Sequence, residues 1–136
     1  MNIDGSCHCG HITYKAVVDP EKVKICHCTD CQTLSGTAFR TLVPAETFTL
    51  LSGEPKIYVK TGDSGAKRQQ SFCPECGSPI YSASAEDSDK IYTIRLGTVR
   101  QRDQLPPKLQ YWFRSALSWL AKLDAIPKSE KQFTPD

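Results

Sequence analysis

Apolar and polar residues alternate along short stretches of this chain, and turn residues separate the stretches. Over residues 11–18, Ile12, Tyr14, Ala16 and Val18 fall on one face of an extended segment. That period of two is the signature of a half-buried strand. Residues 37–43, 47–51, 56–60, 78–83 and 90–96 are rich in Val, Ile, Thr, Tyr and Phe and predict further strands. Asp19-Pro20, Ser52-Gly53, residues 61–65 and residues 86–89 punctuate them as turns. Helix is scarce. Thr29-Asp30-Cys31-Gln32 has the form of a capping box with Thr29 as N-cap. It predicts a short helix that ends near Leu34, where Ser35-Gly36 stops it. A second helix is predicted over residues 111–123, where Trp112, Ala116, Trp119, Leu120 and Leu123 share a stripe between Pro106-Pro107 and Pro127. The expected fold class is mostly β, a sandwich or partly open barrel with one or two short helices.

Length narrows this to one domain. A chain of 136 residues can bury a core of its own, here expected over about residues 3–123 with a polar tail at 128–136. Seventeen Lys+Arg against fifteen Asp+Glu give a net charge of +2. So small an excess argues against a nucleic-acid partner or an anionic membrane surface. No apolar run is long enough to predict a membrane helix. The start, Met-Asn-Ile-Asp-Gly-Ser-Cys, has no secretory pattern, which places the chain in the cytoplasm, where cysteines stay reduced.

Cysteine usage changes the picture. There are seven, in three clusters: Cys7-His8-Cys9, Cys26-His27-Cys28-Thr29-Asp30-Cys31 and Cys73-Pro74-Glu75-Cys76-Gly77. An odd count cannot close entirely into internal bridges. In an extended C-x-C stretch alternate side chains share a face, so Cys7 and Cys9 can reach one metal while His8 points away. Cys73 and Cys76 meet across a tight turn if Gly77 takes a positive φ. Two pairs supply the four thiolates of a closed structural zinc site. Cys26, Cys28 and Cys31 then remain, and three local thiolates leave a tetrahedral zinc one position open, as in catalytic sites. Zinc is favoured over iron or an iron–sulfur cluster, which would need a fourth cysteine taken from the quartet. The competing assignment makes both metals structural, in a zinc-stabilised binding module for protein or nucleic acid, with the triplet completed by a histidine or a partner chain.

The clusters sit within a wider pattern. Gly5-Ser6-Cys7-His8-Cys9-Gly10, Cys26 to Cys31 with Ser35-Gly36 and Phe39 after them, Ser52-Gly53-Glu54-Pro55, and Phe72-Cys73-Pro74-Glu75-Cys76-Gly77 resemble the glutathione-dependent formaldehyde-activating enzyme family, which includes centromere protein V-like domains. The resemblance spans roughly residues 3–120. It implies an Mss4-like fold of stacked antiparallel sheets. It implies two zinc ions per chain, one structural on Cys7, Cys9, Cys73 and Cys76 and one catalytic on Cys26, Cys28 and Cys31. It also implies a carbon–sulfur lyase that joins glutathione and formaldehyde into S-(hydroxymethyl)glutathione. The expected partners are therefore a small-molecule thiol and a small aldehyde.

The residues agree with such chemistry. A zinc with three thiolates is electron-rich and suited to holding a fourth, substrate thiolate that stays nucleophilic. Ser35, Gly36 and Thr37 follow the triplet and can present backbone N–H groups to a ligand. Trp112 is a candidate pocket wall. Arg40, Arg95 and Arg114 are the cations available for the carboxylates of glutathione.

Overall fold

The computed structural model describes residues 1–86 and 88–133. Nine strands form two sheets that share one long strand. β1 (Asn2–Ser6) pairs antiparallel with β2 (Thr13–Val18), and β2 pairs with the second half of β4 (Arg40–Ser52). The first half of β4 belongs to the other sheet, between β3 (Lys24–Cys26) and β8 (Thr93–Arg95). That sheet continues antiparallel from β8 through β7 (Pro79–Ser84) and β6 (Lys67–Phe72) to β5 (Lys56–Thr61). β9 (Leu109–Tyr111) closes the other edge by pairing in parallel with β3. The fold is mostly β, as expected, and the β3–β9 ladder is its one parallel pairing among the described residues.

The alternation in residues 11–18 does what the pattern predicts. Ile12, Tyr14 and Val18 are fully buried and Ala16 nearly so, although the strand itself starts at Thr13. They pack with Val43, Ile80, Ile94, Val99 and Leu105 in a continuous core. Each such side chain contributes about 1.5–3 kcal/mol on leaving water. Each of the three ion pairs among the described residues has at least one exposed partner, so water screens it and it adds little. Apolar burial therefore dominates the fold.

Four sequence expectations need correction. Residues 37–43 and 47–51 are not two strands but one, β4, which runs through Pro44. The proline is tolerated because it stands where the strand changes sheets: pairing with β8 ends at Pro44, and pairing with β2 begins at Ala45. The strand predicted over 90–96 shortens to Thr93–Arg95. The helix N-cap is Cys28 rather than Thr29; its sulfur accepts the Cys31 amide at 3.2 Å, and α1 spans Thr29–Ser35. The cap sulfur is held there because β3 ends at Cys26. The helix predicted over 111–123 does not form. Tyr111 is captured by β3, Trp112 takes a left-handed backbone (φ 54°), and short 3-10 turns follow at Phe113–Ser115 and Ser118–Ala125. The apolar stripe has no core to pack on, and Trp112, Trp119 and Leu123 stay about half exposed. The stop after Leu34 is as expected: Gly36 sits at φ 67°, a conformation open to glycine, and closes the helix on Gln32 and Thr33. Of the predicted polar tail, residues 128–133 are exposed without strand or helix, and residues 134–136 lie outside the described residues.

One exposed cluster fastens β1 to the chain beyond β8. The Asp4 carboxylate accepts from Arg100 Nη2 at 2.8 Å and from Gln101 Nε2 at 2.7 Å. Donation by Arg100, then by Gln101, holds its pKa below the usual carboxylate value. A depressed folded pKa means this stability is present above the unfolded value of about 4 and is lost as pH falls through the folded value. Asp4→Asn should therefore flatten the acid limb of a plot of thermal midpoint against pH. Identical limbs below about pH 4 in the two proteins would refute the contribution.

Candidate metal centres and the cavity beside them

Each cysteine cluster is shaped by its backbone. At the N-terminal cluster the chain turns rather than extends: the Gly10 amide donates to the Cys7 carbonyl at 3.2 Å, and the Ile12 amide donates to Cys7 Sγ at 3.2 Å. This turn, not strand alternation, brings the sulfurs of Cys7 and Cys9 to 3.7 Å. In the second cluster the Glu75 amide donates to Cys73 Sγ at 3.4 Å, and Gly77 takes the positive φ (79°) that the turn requires. Ser78 joins the two turns. Its hydroxyl accepts the His8 amide at 3.1 Å and lies 3.2 Å from Cys76 Sγ. The Ser78 hydroxyl, and after it the Ser78 amide, pull the Cys76 thiol down to about 5.

The four sulfurs of Cys7, Cys9, Cys73 and Cys76 lie within 4.8 Å of one another, and Cys9 Sγ stands 3.8 Å from Cys73 Sγ. All four are free thiols. A tetrahedron with Zn–S bonds of about 2.3 Å has edges of about 3.8 Å. The donor set, the spacing and the amides aimed at sulfur fit a zinc ion.

The triplet begins in β3, in the same sheet whose β6–β7 turn carries Cys73 and Cys76. β3 carries Cys26, a single residue leads to Cys28 at the helix N-cap, and Cys31 follows in the first turn of α1. Their sulfurs also lie within 4.8 Å of one another, and no fourth His, Cys, Asp or Glu joins them among the described residues. His27 is buried facing away. Its ring packs against Phe39 and Phe113, and its Nε2 lies 2.7 Å from Gln110 Oε1. His8 and His11 are exposed. The Cys26 thiol is pulled down to about 5, first by donation from Cys31, and Cys31 is pushed up in return, first by Cys26. Three converging sulfurs with one of them ready to ionise suit a soft divalent metal and leave a tetrahedral ion one ligand short.

Strand register builds the surroundings. Cys26 is directly opposite Arg40 on β4 and opposite Tyr111 on β9. A cavity of about 450 Å³ opens there, walled by the triplet, Tyr111 and Trp112, with Arg40, Arg68, Gln70 and Arg95 also lining it. Burial, then the charge of Cys26, pushes the Tyr111 phenol up, so it stays protonated. Of the sequence candidates, Trp112, Arg40 and Arg95 reach this cavity. Arg114 is exposed and lines none of the described cavities that contain a cysteine. Ser35 and Thr37 line a separate hollow with Arg40 and Arg95. The Gly36 and Thr37 amides are already used on Thr33 and Gln32, at 3.3 Å each.

The sequence profile of glutathione-dependent formaldehyde-activating enzymes matches residues 2–115. The chain belongs to that family. Its Mss4-like fold is the one described above, and the seven cysteines that resemble the family pattern are those the structure gathers into four and three. No curated protein matches the sequence. Among solved structures the chain is similar to a Rhodobacter sphaeroides protein determined as a structural genomics target. The two share 15% identity with a TM-score of 0.56, over 79% of this chain and 98% of the other. At that identity the likeness concerns the fold. Family membership implies glutathione-dependent activation of formaldehyde, and the two cysteine clusters are compatible with zinc. Among the described residues no helix is long and apolar enough to cross a membrane.

Sequence reasoning missed Tyr111, Arg68 and Gln70. Tyr111 opens the stretch whose helical period predicts a helix over residues 111–123. Arg68 and Gln70 lie in β6, whose sequence Lys-Arg-Gln-Gln-Ser-Phe carries little β signal. Their alternation, which puts both on one face, was the only available cue.

Proposed function

We propose that this protein is a zinc-dependent enzyme of the carbon–sulfur lyase type, working in a reducing cytoplasm. It holds a thiol such as glutathione at Cys26, Cys28 and Cys31 and adds it to formaldehyde or a similar small aldehyde. The observation that carries the reading is the triplet itself: three sulfurs within 4.8 Å, no fourth donor among the described residues, and a cavity at their open side. Cys7, Cys9, Cys73 and Cys76 hold the second, structural zinc. The absence of a fourth donor favours an enzyme over a module with two closed metal sites.

Bound at the triplet, zinc supplies deprotonation of the thiol and a fixed place for its sulfur. The chain's own residues do the rest. The cavity walls orient the thiol's remainder, and Trp112 lies at their edge beside Cys28. Attack of the thiolate on the aldehyde carbon forms the C–S bond and sends the C=O π pair to oxygen. That oxygen takes a proton from the Tyr111 hydroxyl in the cavity wall, and the phenol is reprotonated from solvent, which received the proton lost by the thiol. Calorimetry with glutathione in two buffers of different ionisation enthalpy tests the binding step, and NMR of the hemithioacetal tests turnover. Binding should release a proton and strengthen as pH rises towards the thiol pKa. Failure of the zinc-loaded protein to bind thiol would overturn the reading.

A further inference from the structure

Arg40 and Arg95 are each more than nine-tenths buried, at 6% and 7% exposure. Buried guanidiniums are ordinarily matched by carboxylates, because an unpaired buried charge is costly. Here none is present among the described residues. Arg40 Nη1 and Arg95 Nη2 both donate to a single neutral acceptor, Gln70 Oε1, at 3.3 and 3.0 Å. Arg40 Nε is buried with no partner among the described residues. A third guanidinium, Arg68, finds only the Ser82 hydroxyl among the described residues, at 3.3 Å. The ion pairs among the described residues involve none of the three, and no Asp or Glu lines the cavity they share with the triplet.

The thiolates next door do not balance this charge. Three thiolates around a divalent ion carry one net negative charge, against three guanidiniums. Nor is the arrangement an accident of surface side chains. Arg40 is set opposite Cys26 by the β3–β4 register, and Arg95 is set opposite Leu42, two residues further along β4. Residues two apart in a strand share a face, so both arginines project on the same side of the sheet.

We propose that Arg40 and Arg95 form a carboxylate-binding subsite beside the cysteine triplet, so that a substrate used there carries a carboxylate close to its reacting group. The guanidinium forks offer the paired N–H donors that a carboxylate accepts in parallel. The unpartnered Arg40 Nε is the donor this anion would satisfy. The inference rests on the proposed function for the identity of the reacting group, but not for the anion itself. The carboxylate belongs either to the thiol or to the aldehyde.

The test compares charged and neutral probes on the zinc-loaded protein. Mercaptoacetate should bind at least about tenfold more tightly than 2-mercaptoethanol, since the two differ in a charge-assisted pair. Arg95→Gln should reduce that ratio to within about twofold, with Arg95→Lys intermediate because it keeps charge but not the fork. Acetate should raise the thermal midpoint of the wild type and compete with mercaptoacetate but not with 2-mercaptoethanol. These wild-type measurements decide the matter even if Arg95→Gln fails to fold. Equal affinity for the two thiols, no shift with acetate, and turnover no faster with glyoxylate than with formaldehyde would together overturn the subsite. Equal thiol affinity with acetate binding and a glyoxylate preference lost in Arg95→Gln and reduced in Arg95→Lys would place the carboxylate on the aldehyde. An acetate shift with no binding of either thiol would uphold the subsite and remove the proposed function instead.

Discussion

Cys73→Ser should leave the protein unfolded or confined to the insoluble fraction. Cys73 is fully buried, and its cluster ties residues 73–76 to residues 7–9 at the opposite end of the sheet order. A structural zinc contributes about 10–16 kcal/mol of apparent binding free energy, and that energy is folding free energy. A domain is stable by only about 5–15 kcal/mol in total. Losing one of four ligands, and leaving a hydroxyl in a pocket shaped for sulfur, therefore removes an amount comparable to the whole margin. The check is a thermal melt followed by circular dichroism, together with zinc content. A folded Cys73→Ser protein with an unchanged midpoint would show that the quartet is not a structural metal site.

Cys28→Ala should do the reverse: abolish turnover and leave the fold intact. Cys28 is only half-buried and belongs to none of the core. Its structural contribution is the helix cap, where its sulfur accepts the Cys31 amide, and a lost cap costs about 1 kcal/mol. For a chain of this size that lowers the midpoint by a few degrees. The metal stoichiometry should fall from about two to about one, because two thiolates do not retain zinc as three do. Mild chelation of the wild type should give the same loss of one zinc with the circular dichroism spectrum preserved. Residual turnover near the wild-type level in a one-zinc Cys28→Ala protein would remove the triplet from the chemistry.

The three cysteine clusters were legible because the spacing within each is local. Cys73 and Cys76 meet through a four-residue turn, and a turn is written in neighbouring residues such as Gly77. The division into four and three followed from counting donors against coordination number. What surrounds the triplet was not legible, because it is made by register between distant strands. Nothing in the local sequence pairs Cys26 with Tyr111, and that pairing is parallel, between two strands of three residues each, of which β9 is the sheet edge. The same contact explains the failed helix: the stripe from Trp112 to Leu123 has helical period, but Tyr111 is drawn into the sheet and the stripe lacks a surface to cover. The arginines were visible as residues and invisible as a pair, since only the β4–β8 ladder puts them side by side.

Strand β4 has a consequence for how such a protein can change over generations. It starts at Arg40 in the cavity and ends at Ser52, whose hydroxyl donates to the His11 carbonyl at 3.1 Å beside the N-terminal cysteines. Deleting or inserting a single residue along it reverses which face every later side chain occupies, and so misaligns one cysteine centre against the other. Length variation is therefore disfavoured along this strand except at its two register shifts against β2, where an extra residue is already absorbed. It is open in the turn between β5 and β6, where Gly62, Asp63 and Ser64 border a hollow shared with Cys28 and Trp112. Descendants of this chain have room to alter what they bind there, by lengthening or shortening one hairpin, while both cysteine centres keep their places.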